Sequence, residues 1–212
     1  MKNVYFFSGL GADERVFQYL DLSFCNPVFI KWNLPHNNES IENYALRLTE
    51  QINEENPILV GVSFGGMIAV EVAKIIKPKK IFLISSVKTI FEIPLYYRLA
   101  GKINVHKFIP AVFLQKVKSI NNFLFDVSSI EEKELLDKII TETNPDFLKW
   151  AMDKIVNWKN EFIPDNLIHI HGTNDKILPY RFVKSDYNIQ SAGHFMIVKQ
   201  AKEISVIIGN KI

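Results

Sequence analysis

The stretch that most limits how this chain can fold is Gly61-Val62-Ser63-Phe64-Gly65, with another glycine at Gly66. An apolar run, Pro57-Ile58-Leu59-Val60, precedes it, and a helix-compatible run from Met67 to Lys74 follows. The order is strand, tight turn, helix. It matches G-x-S-x-G, the pattern in which a serine sits on a strained turn above a parallel sheet. Such a turn puts the serine in an unfavourable backbone conformation. Glycines on both sides let strand and helix approach with no Cβ between them. The helix beginning near Phe64 aims its first N–H groups at the serine and favours negative charge there. Five residues alone are a weak signal, and the flanking runs strengthen it.

The rest of the chain supplies a sheet around that turn. Asn3 to Phe7 reads as a buried strand and stops at Ser8-Gly9-Leu10-Gly11-Ala12-Asp13, where Asp13 can cap the short stretch Glu14 to Leu20. Pro27 to Trp32 reads as a second strand, followed by the polar loop Asn33 to Asn38. Ser40 opens a helix predicted to run to about Glu55, with Ile41, Ala45, Leu48 and Ile52 on one face. Lys80 to Ile84 is the next strand. Strands and helices alternating in this way predict a parallel sheet covered on both faces.

The alternation stops at Val87 and does not resume before Asp165. This stretch is aromatic and helix-like, with Phe91, Tyr96 and Tyr97, then Phe108, Val112, Phe113, Leu114 and Val117. Ser129 and Glu132 form a capping box, and Asn144-Pro145 restarts a helix with proline at its first position. The expectation is a core of residues 1–86 and 166–212, with 87–165 inserted as a helical cap over the sheet end that carries Ser63. The alternative is that these helices only cover a sheet face. Alternation returns with Leu167 to His171, ending at Gly172-Thr173-Asn174-Asp175, and with Tyr187 to Gln190, ending at Ser191-Ala192-Gly193-His194. A closing helix is expected from about Met196 to Ile208.

A length of 212 residues suits one core and one domain. At 48% hydrophobic and 23% charged residues, the composition is that of a soluble globular protein. The net charge is +2 with the basic residues spread out, so no nucleic-acid-binding stripe is visible. Cys25 is the only cysteine, which excludes an intramolecular disulfide and a cysteine metal site; it reads as a buried thiol. No apolar run reaches the ~18 residues of a membrane span. Met1-Lys2 leads into an apolar run too short for a signal peptide, so a cytoplasmic location is expected.

A serine hydroxyl needs an adjacent base to act as a nucleophile, and a histidine base needs an acid to fix its tautomer. In an open parallel sheet, groups at the carboxyl ends of strands converge on one edge. Ser63, Asp175 and His194 all follow predicted strand ends, in the order described for α/β-hydrolases. On Ser8-Gly9-Leu10-Gly11, Gly61-Val62-Ser63-Phe64-Gly65-Gly66, His171-Gly172-Thr173-Asn174-Asp175 and Gly193-His194-Phe195, the chain resembles α/β-hydrolase-fold serine hydrolases along its whole length.

That resemblance implies an α/β fold with a short, mostly parallel sheet of about six strands flanked by helices, and a helical cap. It makes Ser63 the nucleophile, His194 the base and then the acid, and Asp175 the orienting acid. The backbone N–H groups of Leu10 and Phe64 would form the oxyanion hole. The implied function is hydrolysis of a small carboxylic ester or thioester through an acyl-enzyme, with a small-molecule substrate, no cofactor, no metal and no nucleic-acid partner; oligomeric state is left open. C–C bond hydrolysis, a lyase or acyltransferase reaction, and a non-catalytic ligand-binding role remain open, because one fold hosts many chemistries. Two departures stand out: Ser8-Gly9 replaces the His-Gly often found in the first loop, and the usual N-terminal antiparallel strands are missing. His169 and His171 alternate on a strand without an apparent third metal ligand. His36 follows the second strand and is a candidate for the pocket mouth. His106 reads as a surface residue, and Asp126 and Asp165 are competing acids at less clear strand ends.

Overall fold

The structure, a computed structural model, describes residues 1–104 and 118–212. His106, Phe108, Val112, Phe113, Leu114 and Val117 lie outside the described residues. The strands are β1 (Asn3–Phe7), β2 (Asn26–Phe29), β3 (Ile58–Val62), β4 (Lys80–Ile84), β5 (Leu167–Gly172) and β6 (Tyr187–Ile189). They form one six-stranded sheet in the order β2-β1-β3-β4-β5-β6. Every pairing is parallel, where the sequence predicted a mostly parallel sheet.

Alternate residues along each strand serve opposite faces, as the two-residue period requires. Val4, Phe6, Val60, Phe82 and Ile84 join one apolar cluster, with Phe17 beneath them. Tyr5, Phe7, Leu59, Ile81 and Leu83 join the other. The second face is covered by α1 (Ile41–Leu48) and α2 (Phe64–Ile75), through Tyr44, Leu48, Met67 and Ile68. Each covered face buries both strand and helix side chains, at roughly 1.5–3 kcal/mol for each large residue removed from water.

Between β4 and β5 the described residues form helices and no strand. These are α3 (Leu95–Lys102), α4 (Lys118–Phe125), α5 (Ile130–Glu142) and α6 (Pro145–Asn157). The Ser129–Glu132 capping box opens α5, and the Asn144 side chain accepts from the Asp146 and Phe147 amides to open α6. Leu136 and Ile139 of α5 belong to the first cluster, and Phe147 and Ala151 of α6 to the second. Two indoles tie this segment down. Trp150 Nε1 donates to Glu39 O at 2.9 Å. Trp158 Nε1 donates to Glu71 Oε1 at 2.7 Å, beside a Lys74 ammonium at 2.8 Å.

Three elements differ from the sequence-based expectation. β2 ends at Phe29 rather than Trp32, because the Gln51 side-chain amide takes the place of a strand partner. It accepts from Lys31 N at 2.9 Å and donates to Lys31 O at 3.0 Å. α1 stops at Leu48 and a 3₁₀ turn, Thr49–Gln51, follows. Thr49 Oγ1 bonds back to Leu46 O at 2.7 Å, a local bond that competes with helix continuation. The closing helix is two helices, α7 (Met196–Lys199) and α8 (Ala201–Gly209), which break at Gln200. The break lets Met196, Ile197, Ile204 and Ile208 all reach the first cluster.

β5 carries two fully buried histidines, His169 and His171. Neither ring nitrogen of His169 has a well-formed hydrogen bond. Burial holds the pKa of His169 well below its ordinary value of 6.5 and lowers that of His171, so both rings are neutral in the fold. The unfolded chain protonates the same rings near pH 6.5. Below that pH the unfolded state holds more protons, and stability falls as pH falls, by up to about 1.4 kcal/mol per pH unit for each ring. Urea unfolding between pH 7.5 and 5 is expected to show this acid limb. His169→Leu should flatten it by about one ring's share, whatever its effect on absolute stability. Equal slopes in the two proteins would mean that His169 takes up its proton inside the fold.

Candidate active site

β3 ends at Val62, and α2 begins at Phe64, so the whole change of direction falls on Ser63. Its backbone sits at φ 52° and ψ −120°. A non-glycine residue held in such a conformation costs about 1–3 kcal/mol, and the surroundings must impose it. They do so through three hydrogen bonds. Ser63 N donates to Ile84 O at 2.9 Å, while Ser63 O accepts from Gly66 N at 2.9 Å and Ser86 Oγ at 2.7 Å. The glycines are required by contact. A Cβ at Gly61 would lie 2.5 Å from Gly66 Cα, and one at Gly65 would lie 2.2 Å from Ser8 O.

The structure brings together the three residues singled out from the sequence. His194 Nε2 is 2.9 Å from Ser63 Oγ, and His194 Nδ1 is 2.7 Å from Asp175 Oδ2. Asp175 and His194 are buried, and Ser63 is half-buried. Burial alone would raise the Asp175 pKa. The His194 imidazole, His171 and the Leu178 amide outweigh it and hold the carboxyl below its ordinary value. An ionised Asp175 accepts from Nδ1–H, which leaves Nε2 free to accept the Ser63 hydroxyl proton.

The second Asp175 oxygen, Oδ1, accepts from Ile177 N at 2.9 Å and Leu178 N at 2.8 Å. His171 Nε2 donates to Leu178 O at 2.8 Å and lies 3.6 Å from Asp175 Oδ2. His171 therefore packs the turn that holds the acid. Among the described residues, no group of three or more His, Cys, Asp or Glu is placed to hold a metal. His36 is exposed. Asp165 is exposed and precedes β5, at the strand end opposite Asp175. Cys25 is buried, and its thiol pKa is pushed up to about 11.

Asp126 is not an alternative partner for His194, but it supports it. Its carboxylate pairs with Lys176 at 3.3 Å and Lys199 at 3.4 Å. Asp126 Cβ sits only 2.3 Å from where a Gly193 Cβ would be, so the residue before His194 must be glycine. Phe125 presents its ring edge-on to His194, with centroids 5.4 Å apart.

The first loop carries Leu10, and its hydrogen bonding accounts for the serine at position 8. Ser8 Oγ donates to Ala12 O at 2.6 Å and accepts from Trp32 Nε1 at 2.8 Å. Thr143 Oγ1, just past α5, shares its one proton between Ile139 O at 2.7 Å and Gly11 O at 3.0 Å, and Gly11 itself has φ 70°. Arg15 bridges Asp13 at 2.7 Å and Glu142 at 2.6 Å. Among the described residues, the backbone N–H groups of Leu10 and Phe64 have no protein partner. The sequence reading missed Trp32, Thr143 and Phe125. Only Trp32 carried a signal, as an indole at the end of the strand next to β1.

Two clefts meet at Ser63. One, of about 60 Å³, is lined by Leu10, Val16, Phe125, Leu136, His194 and Phe195 among others. The second, of about 300 Å³, starts at Phe64 and Met67 and runs between Tyr97, Met152, Ile155 and Leu178.

No protein-family model matches the sequence, and its comparison with curated proteins gives no match. Solved structures do resemble it. A thermophilic esterase from Thermogutta terrifontis is 16% identical with a TM-score of 0.72, over 99% of this chain and 89% of that one. A meta-cleavage product hydrolase from Pseudomonas fluorescens IP01 is 15% identical with a TM-score of 0.70, over 99% and 90%. A bromoperoxidase from Bacillus anthracis is 15% identical with a TM-score of 0.70, over 100% and 92%. At these identities the likeness is one of fold.

The strain at the turn is measurable without any ligand. Ser63→Gly should unfold at higher urea than Ser63→Ala, by about 1 kcal/mol once the extra freedom of unfolded glycine is subtracted from the relieved strain. Gly65→Ala should cost about 1–3 kcal/mol or more, because backbone carbonyls fill the space its methyl needs. Gly9→Ala should be close to neutral, since its methyl would meet only Ser63 Cβ at 3.6 Å and Val62 O at 3.8 Å. Equal losses at Gly9 and Gly65 would contradict this picture of the turn.

Proposed function

We propose that this chain, which has the α/β-hydrolase fold, is a serine hydrolase of small carboxylic esters or thioesters. The observation that carries the reading is the unbroken hydrogen-bond chain from Asp175 through His194 to Ser63 Oγ, on a serine strained at a helix N-terminus. The esterases among the solved structures it resembles support the reading through the fold alone.

In this reading Ser63 Oγ attacks the substrate carbonyl carbon and its proton passes to His194 Nε2. The carbonyl oxygen becomes an oxyanion and accepts from the unpartnered Leu10 and Phe64 amides, with the α2 N-terminus adding its partial positive charge. His194 returns the proton to the leaving oxygen or sulfur, and the C–O or C–S bond breaks. A water then gives its proton to His194, attacks the acyl-enzyme, and the acid leaves as Ser63 regains its proton. Asp175 stays ionised throughout and stabilises the imidazolium. Trp32 acts as a positioning residue, because its bonds to Ser8 Oγ and Ala12 O hold the loop that presents Leu10. None of these steps calls for a cofactor.

Two measurements test this. A fluorophosphonate probe should label Ser63 stoichiometrically, and the labelling should vanish in Ser63→Ala and fall at least 10³-fold in rate in His194→Ala. A folded protein that is not labelled would instead favour a ligand-binding role. Trp32→Phe keeps the ring packing but removes the indole donor. It should lower kcat for an activated ester about tenfold or more with little change in KM, as expected when only transition-state contacts loosen. An unchanged kcat would detach Trp32 from the oxyanion loop's function.

A further inference from the structure

Ser63 opens on two clefts of unequal size, and His194 lines only the smaller. We infer that the larger cleft takes the acyl chain and the smaller one the leaving group, so that the substrates are esters or thioesters of uncharged, medium-length aliphatic acids with a small leaving group. This rests on the serine-hydrolase reading above.

The direction follows from proton transfer. The leaving atom must receive a proton from His194 Nε2, so it has to lie on the His194 side of Ser63 Oγ. The carbonyl oxygen is directed to the Leu10 and Phe64 amides. The acyl substituent is then left with the remaining direction, along Phe64 and Met67 into the larger cleft. After the leaving group departs, the hydrolytic water must also reach His194. The smaller cleft, at about 60 Å³, has room for a water and for a short alkyl group but not for a long chain.

The larger cleft, at about 300 Å³, holds roughly five times the volume. Its described lining carries no charged side chain; apart from Ser63 the polar group there is the Tyr97 hydroxyl, whose pKa burial pushes up to about 12. An acyl chain that fills it gains hydrophobic transfer energy with each methylene, worth about fourfold in binding per group. A chain ending in a carboxylate would have to bury that charge unpaired, which the same lining penalises heavily.

The test is a pair of substrate ladders with the full-length protein, run beside fluorophosphonate labelling of Ser63. Along methyl esters from acetate to hexanoate, kcat/KM should rise by about fourfold per methylene. With the acyl group fixed at hexanoyl, it should fall at least tenfold as the alcohol lengthens from methyl to hexyl. Monomethyl suberate, with its far carboxylate, should be at least tenfold poorer than methyl octanoate. Met152→Trp should shift the preferred acyl length downwards by two or more carbons; Ile155→Phe is a second way to shorten the cleft if the first variant does not fold. If Ser63 is labelled but the acyl ladder is flat or falling, the alcohol ladder rises, or no ester is hydrolysed, the assignment of the clefts is overturned and the activated serine stands. If Ser63 is not labelled, the hydrolase reading fails and takes this inference with it.

Discussion

The structure depends on a crossing of β3 and α2 so close that no side chain fits between them. Gly61, Gly65 and Gly66 each sit where a Cβ would strike another part of the chain, at 2.6 Å or less. The turn left between them puts Ser63 at φ 52°, and the same crossing sets Gly65 against the carbonyls of Phe7 and Ser8. β1, β3 and the first loop are thereby locked to one another. The Leu10 loop, Ser63 and the start of α2 consequently share one rigid frame. Asp175 and His194 reach that frame from the ends of β5 and β6 respectively, across β4.

Much of this was legible in the sequence because it is local. The turn around Ser63, the glycine before His194 and the strand end before Asp175 each show as a few adjacent residues, and the parallel sheet shows in the strand–helix rhythm. What was not legible depends on contacts between distant segments. Trp32 bonds to Ser8 across 24 positions, and Thr143 bonds to Gly11 across 132. No periodicity or propensity announces such pairs. The element ends were misread for a related reason. Gln51 pairs with the edge of β2 through its side chain, and Thr49 bonds back to the helix before it, so side-chain hydrogen bonds rather than backbone preference set where β2 and α1 stop.

The polar interior around β5 has two functions to reconcile. Asp175 must stay charged while buried, and it does so with His194 and His171 beside it and two amides on its second oxygen. His169 and His171 must stay neutral while buried, and their position deep on β5 enforces this. The cost is an interior that cannot accept protons freely. The same arrangement keeps His194 the one imidazole in contact with the serine hydroxyl among the described residues.

Arg15 and Thr143 join the first loop to the end of α5, through Glu142 and through the Gly11 carbonyl. The helical segment therefore completes the hydrogen bonding of the first loop, which carries Leu10. In evolutionary and engineering terms the two are not separate modules. Exchanging residues 87–165 for another helical segment would remove Glu142 and Thr143 together and leave the Gly11 carbonyl and the Arg15 guanidinium without these partners. New specificity is reached more directly by changing side chains on the existing helices, or by transplanting the helical segment and the first loop as one unit.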